Sequence, residues 1–361
     1  VEKARKKIAL LRVLSGIPVI NCGSNLICAA LGLVRSVLSY GSEAYFTACK
    51  SDLQKLTSID CLALKIALGL PRWASIDKTY KEAGVLPLEE HRRLCACKYM
   101  TRARAVPNSV LSEFHEAMYI SREIRNKAVY TSLSDYTLPL LQSCHLSLDQ
   151  IATIPFCLYP PWLLKQAEYV YSYSNLCKDD NPLLIASQAM ELIYTQFRSF
   201  LHVYTDGSVA DTSDVGAAFV IPDLNVKKKF HLTKGCSIFT AELFAIMMAL
   251  NFFNDMPVPP SKLLILSDSK SALMALHRQS SSDRLDVLYE IQFLIHQLTE
   301  RGCNLTLLWV PGHSNLRGNE MADSCAKDAA SNISNTTVCN IPICVSEACT
   351  LLSKQVWFER R

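Results

Sequence analysis

From Phe200 onward the apolar residues fall into short runs that suit strands. Phe200 to Thr205 alternates apolar with polar, and Val215 to Ile221 and Val226 to Leu232 follow across short polar links, the texture of an antiparallel meander. Phe239 to Phe253 predicts a long apolar helix with Leu243, Ile246, Met247 and Leu250 on one stripe. Leu263 to Leu266 is an unbroken apolar run, as expected of a central strand buried on both faces. Ser269 to His277 and Asp286 to Glu300 read as helices, Leu305 to Val310 as a fifth strand, and Asn319 to Ala330 as a further helix. That order predicts an α/β fold, a mixed five-stranded sheet flanked by helices.

The chain before Phe200 has a different period. Through Leu53, Leu56, Ile59, Leu62 and Ile66 the apolar positions recur at helical steps, and Gly69, Leu70 and Pro71 stop that helix. A second helical pattern runs from Pro87 to Arg104, with Leu88, Leu94, Cys95 and Tyr99 on its apolar face. Its basic residues Arg92, Arg93, Lys98, Arg102 and Arg104 suit either phosphate contacts or a solvated flank. Pro155, Pro160, Pro161 and Pro182 then punctuate short helical segments. The expected organisation is a mainly α-helical domain over residues 1–130, linker and helical segments over 131–199, the α/β domain over 200–332, and a helical, truncated tail over 333–361.

A length of 361 residues suits about two domains, and half of the residues are apolar, so both can bury cores. No charged residue lies between Arg12 and Arg35, but Pro18, Asn21, Gly23, Ser24, Asn25 and Gly32 interrupt the stretch, which favours a broken pair of buried helices over a membrane span. The chain starts without Met and is read as a fragment. Its 15 cysteines are scattered, often singly in apolar surroundings, as free thiols are in a reducing compartment, so an intracellular location is expected. The net charge of +4 is uneven: residues 1–110 hold 17 Lys and Arg against 8 Asp and Glu, an excess of nine. This excess suits a surface that faces nucleic acid, or a solvated flank.

Four carboxylates sit where acids are awkward. Asp206 is expected to end the first strand, with Gly207 turning the backbone sharply behind it; an ordinary turn Asp has the same setting. Glu242 is the only charged residue between Gly235 and Asn254. Such a Glu must be paired or bind a metal, unless it merely favours the helix N-terminus. Asp268 follows the buried strand directly, which suits a ligand site or a helix cap. Asp323 lies within the last helix, and His313 in the loop before it. Together these acids form a set of hard oxygen ligands suited to magnesium or manganese, and a pair of such ions can act on a phosphodiester.

The stretch from Leu201 to Ala330 resembles a ribonuclease H type 1 domain. The resemblance rests on Thr-Asp-Gly-Ser at 205 to 208, Thr-Ala-Glu-Leu at 240 to 243, Ser-Asp-Ser at 267 to 269, Pro-Gly-His at 311 to 313 and Gly-Asn-Glu-Met-Ala-Asp at 318 to 323. It implies that Asp206, Glu242, Asp268 and Asp323 hold two ions, Mg2+ or Mn2+, and that His313 is a mobile proton shuttle. Asn319 and Glu320 also fall at family positions. The version with Trp309-Val310-Pro311-Gly312-His313 is similar to the domain of non-LTR retrotransposon polyproteins. Leu33 to Ser42 and Glu82 to Leu88 resemble the segment after the palm of their reverse transcriptases, which implies a thumb or connection region. No Tyr-X-Asp-Asp motif occurs, so DNA synthesis is not expected.

The expected activity is endonucleolytic hydrolysis of the RNA strand of RNA–DNA hybrids. The rival is a noncatalytic nucleic-acid-binding connection domain, which retention of all four acids argues against. A nuclease acting on duplex DNA fits the Pro-Gly-His loop less well. Ser208, Ser237, Lys270 and Asn319 are the candidates for substrate contacts. The expected partners are hybrid nucleic acid and the remainder of a polyprotein, with no membrane.

Overall fold

A computed structural model describes residues 1–17, 23–46, 48–106, 133–154, 159–170, 182–279, 283–312 and 316–358. The chain divides into two compact units, residues 1–149 with 348–361, and residues 150–347.

The first unit is helical. Its described helices include α1 (Glu2–Ser15), α2 (Gly23–Ala30), which runs on through a π-turn at Leu31–Arg35, α3 (Lys50–Ala67), α4 (Ile76–Ala83), α5 (Leu88–Ala105) and α6 (Leu133–Ser143). The uncharged stretch after Arg12 is thus divided between helices, and among the described residues no helix is long and apolar enough to cross a membrane. On α3 the deepest face is Ile59, Ala63, Leu64 and Ala67, offset from the expected stripe because Leu53, Leu56, Leu62 and Ile66 are only partly covered. Asp60 is buried there as the partner of Arg35 at 2.6 Å and of the Tyr80 hydroxyl at 2.9 Å. Three of the basic residues on α5 are used within this unit. Arg92 lies over the Tyr45 ring, Arg93 over the Tyr136 ring, and Arg104 pairs with Asp149.

In the second unit, β1 (Glu168–Val170) and α7 (Pro182–Thr195) precede β2 (Leu201–Val209), β3 (Val215–Ile221), β4 (Val226–Leu232), α8 (Ile238–Asn254), β5 (Lys262–Ser267), α9 (Lys270–Arg278), α10 (Leu285–Glu300), β6 (Asn304–Trp309), α11 (Arg317–Ser331) and β7 (Thr337–Cys339). Helix α12 (Val345–Phe358) begins in this unit, and its residues from Ala348 belong to the first. The sheet is seven-stranded in the order β1-β6-β5-β2-β3-β4-β7, with the β2–β3–β4 meander antiparallel and the remaining pairs parallel.

The mixed α/β architecture follows the hydrophobic pattern, with two short strands added at the edges. Residues 150–199, read as linker and helical segments, include β1, paired with β6, and α7, whose Ile185, Ala189 and Ile193 enter the core. β1 offers only three residues, too few to show a period. Helix α11 crosses β3 where Gly216 has no side chain; a Cβ there would lie 2.2 Å from the Ala326 carbonyl oxygen. Its small buried residues Ala322, Ala326, Ala329 and Ala330 keep the approach close, which brings Asp323 over the sheet.

Candidate active site

Asp206 stands inside β2, not at its end. The strand continues to Val209, and Gly207 pairs with Ala217 as an ordinary ladder residue. Gly207 is therefore needed for close approach and not for a turn. A Cβ at this position would lie 2.7 Å from the Glu242 nitrogen and 2.8 Å from Ala241 Cβ. The missing side chain lets α8 rest directly on β2 and carries Glu242 to Asp206.

Helix α8 starts at Ser237, whose Oγ accepts from the Thr240 N–H at 3.2 Å, the usual N-cap bond. Asp268 follows β5, and its backbone carbonyl accepts from the Lys270 N–H at 3.1 Å and from Trp309 Nε1 at 3.0 Å. Oxygens of Asp206, Glu242 and Asp268 all lie within 4.8 Å of one another. Glu242 is 6 % exposed, and its Oε2 has no hydrogen-bond partner among the described residues.

This crowding disfavours ionisation. Burial, with the nearby charges of Asp268 and Asp323, pushes the Asp206 carboxyl up to about 8. Burial and then Asp206 and Asp268 hold Glu242 well above the usual carboxylate range. The Gly207 N–H favours the ionised form of both and offsets only part of this. Buried carboxylates so close together need a cation if all are to carry charge. Oxygen-only donors with an unpartnered buried carboxylate oxygen fit a hard divalent ion.

Asp323 lines the same cavity, of about 460 Å³, but outside the tight cluster. Its Oδ2 accepts from Lys327 Nζ at 2.8 Å, one helical turn on. Ser208, Asn319 and Glu320 also line the cavity. Asn319 is 3 % exposed, and its Oδ1 has no partner among the described residues. Of the other substrate-contact candidates, Ser237 caps α8, and Lys270 packs its ammonium 4.9 Å from the centre of the Trp309 ring. His313 lies outside the described residues. The loop leading to it passes Asp268, since a side chain at Gly312 would meet Asp268 Oδ2 at 3.2 Å.

Sequence reading missed Lys327, although its i, i+4 spacing from Asp323 is a recognisable pairing signal. It also missed Glu347, which accepts from Ser237 and Thr240 at the start of α8 and has no local signal at all.

Residues 198–331 match the family model described as RNase H. The chain carries an RNase H domain. Ribonuclease H activity, a phosphodiester hydrolysis, belongs to this domain, and the acidic cluster lies within it. The comparison with curated proteins gave no match. The compact unit is larger than the matched RNase H span, since β1 and α7 precede it and β7 follows it.

Proposed function

We propose that the RNase H domain cleaves the RNA strand of RNA–DNA hybrids at the acidic cavity, using two divalent ions, Mg2+ or Mn2+, held by Asp206, Glu242, Asp268 and Asp323. The observation that carries this reading is the close grouping of three carboxylates, oxygens within 4.8 Å, one with a buried oxygen that has no partner among the described residues. When bound, such ions activate a water and stabilise the leaving oxygen of a phosphodiester.

The chain's own residues position the groups. Gly207 sets the approach of Glu242 to Asp206, and Trp309 fixes the Asp268 backbone through its indole N–H. Lys327 orients Asp323 on the cavity wall. Asn319 offers its carbonyl oxygen, which has no partner among the described residues, as acceptor for an RNA 2′-hydroxyl, the group that distinguishes RNA from DNA, and Ser208 offers a hydroxyl on the same wall. His313 serves as the proton shuttle. The first unit acts as a thumb or connection region of a retrotransposon-derived polyprotein and adds affinity for nucleic acid. Its resemblance over residues 31–104 and its excess of Lys and Arg support this role.

The test is cleavage of a strand-labelled hybrid by the purified chain with and without Mg2+. Asp206→Asn and Asp268→Asn are expected to abolish cleavage while leaving the circular dichroism spectrum unchanged. Near-normal cleavage by either folded variant overturns the assignment. A folded wild-type chain that binds hybrid but does not cleave it with Mg2+ or Mn2+ points instead to the noncatalytic binding module.

A further inference from the structure

Glu347 lies beyond the matched RNase H span, which ends at residue 331, yet its side chain is built into the start of α8. It is 5 % exposed. Oε1 accepts from the Ser237 backbone N–H at 2.6 Å and from the Thr240 hydroxyl at 2.5 Å. Oε2 accepts from the Cys344 N–H at 3.0 Å and lies 3.6 Å from the buried Arg284 guanidinium. Arg284 in turn donates to the Pro342 carbonyl at 2.6 Å and to Asp286 Oδ2 at 2.8 Å. A buried carboxylate is tolerated only with such partners. Burial alone pushes Glu347 up, but Thr240, the Ser237 and Cys344 N–H groups and Arg284 outweigh it and hold the carboxyl below its usual range.

The two residues that Glu347 grips define the first turn of α8. Ser237 is the N-cap, and Thr240 both donates its N–H to the Ser237 hydroxyl and gives its own hydroxyl to Glu347. The first N–H groups of a helix have no partner within it, so an anion that takes the N–H of the cap residue stabilises the helix start at that residue. Glu242 follows within the next turn. There is little slack there, because the Glu242 nitrogen lies where a Cβ on Gly207 would come within 2.7 Å.

Resting on the hydrolytic reading above, we propose that Glu347 is a positioning residue for the reaction, acting through Ser237 and Thr240 to keep Glu242 in register with Asp206 and Asp268. The catalytic unit therefore extends past the family span to this residue. The group that stabilises the acidic cluster's geometry comes from the segment that follows the domain.

The experiment compares full-length wild type with Glu347→Gln, Thr240→Val and a control, Leu298→Ala. Leu298 is buried next to Gln297, at the far end of α8 where Gln297 meets Asn254. Three readouts are taken: melting temperature, calorimetric titration with Mg2+ in the absence of substrate, and kcat and KM on hybrid. Glu347→Gln is expected to weaken Mg2+ binding by about 10-fold, within the range for a partner that orients metal ligands. It should lower kcat by a similar factor and leave KM for hybrid within about twofold, since the groups that contact substrate elsewhere stay in place. Thr240→Val, which removes one contact and keeps the shape, should move the same quantities less. Leu298→Ala should lower the melting temperature without moving them.

A folded Glu347→Gln with wild-type Mg2+ affinity and kcat overturns the proposal. So does a loss of Mg2+ affinity that Leu298→Ala reproduces at equal loss of melting temperature. If Glu347→Gln does not fold, Thr240→Val decides, and wild-type values in that variant overturn the proposal. If the wild type cleaves no hybrid, the hydrolytic reading falls, while the Mg2+ titrations still test Glu347.

Discussion

Replacing Gly207 by Ala adds one methyl group at the point where β2 and α8 touch. The new carbon would lie 2.7 Å from the Glu242 nitrogen, 2.8 Å from Ala241 Cβ and 2.9 Å from the Ala241 carbonyl carbon. Relaxed contacts between such atoms are about 3.5–4.0 Å, so the two elements must part by about 1 Å. Two of the three crowded atoms are helix backbone, which cannot swing aside as a flexible side chain does. Overpacking of this kind costs about 1–3 kcal/mol. For a unit of this size, that lowers the melting temperature by roughly 3–10 °C. The displacement also carries Glu242 away from Asp206, and a misplacement of about 1 Å costs on the order of 10²-fold in rate. Thermal unfolding in chelator and hybrid cleavage at saturating Mg2+ measure the two effects separately. A Gly207→Ala protein with a wild-type melting temperature and a rate within about twofold of wild type would refute the packing argument.

The remaining expectations concern protons, salt and the loop. Asp206 keeps a proton in the metal-free folded state at pH values between its ordinary 3.8 and about 8, where the unfolded chain has lost it. Metal-free stability therefore falls as pH rises through that window, and ion binding must expel the proton. Mg2+ affinity by calorimetry should climb with pH through that window; a flat profile contradicts the buried-acid account. A fragment of residues 150–347 should bind hybrid more weakly than the full chain and with a shallower salt dependence, by about 0.9 in the log–log slope for each phosphate lost. Equal slopes would mean that the first unit does not touch substrate. His313→Ala should slow turnover by roughly 10²-fold as loss of acid–base help, with unchanged Mg2+ binding in titration; a large loss of Mg2+ affinity would make the residue a ligand.

Much of the sheet was legible because its strands are long enough to show a period. Val215–Ile221 and Val226–Leu232 have the same bounds in sequence and structure. β1 and β7 were not, since three residues carry no periodic signal. The acids could be picked out one by one from their setting: Glu242 as a lone charge in an apolar helix, Asp268 after a buried strand. Why they meet was hidden. Gly207 looked like a turn residue, because a glycine needed for close packing and one needed for a turn are the same letter in a sequence. Lys270 and Ser237 stand near the acids along the chain; the contact of Lys270 with Trp309 is tertiary and invisible in sequence, whereas Ser237 three residues before Thr240 is a local cap signal. Glu347 could not be found at all, because its partners Ser237 and Thr240 lie more than a hundred positions away.

The two short edge strands bear on how the unit keeps to itself. β4 presents Lys227, Lys228 and Lys229 along its length, charges that discourage another chain from adding a strand. β6 has no such guard: Leu305, Leu307 and Leu308 are apolar and fully covered or nearly so, and β1 pairs along that edge from Glu168 to Val170. Trimming the protein to residues 198–331 would strip both flanks but endanger them unequally. The β6 side would become a naked, greasy template for strand addition, so self-association of such a trimmed protein should begin there, and lysines placed on that edge should suppress it more than any placed on β4.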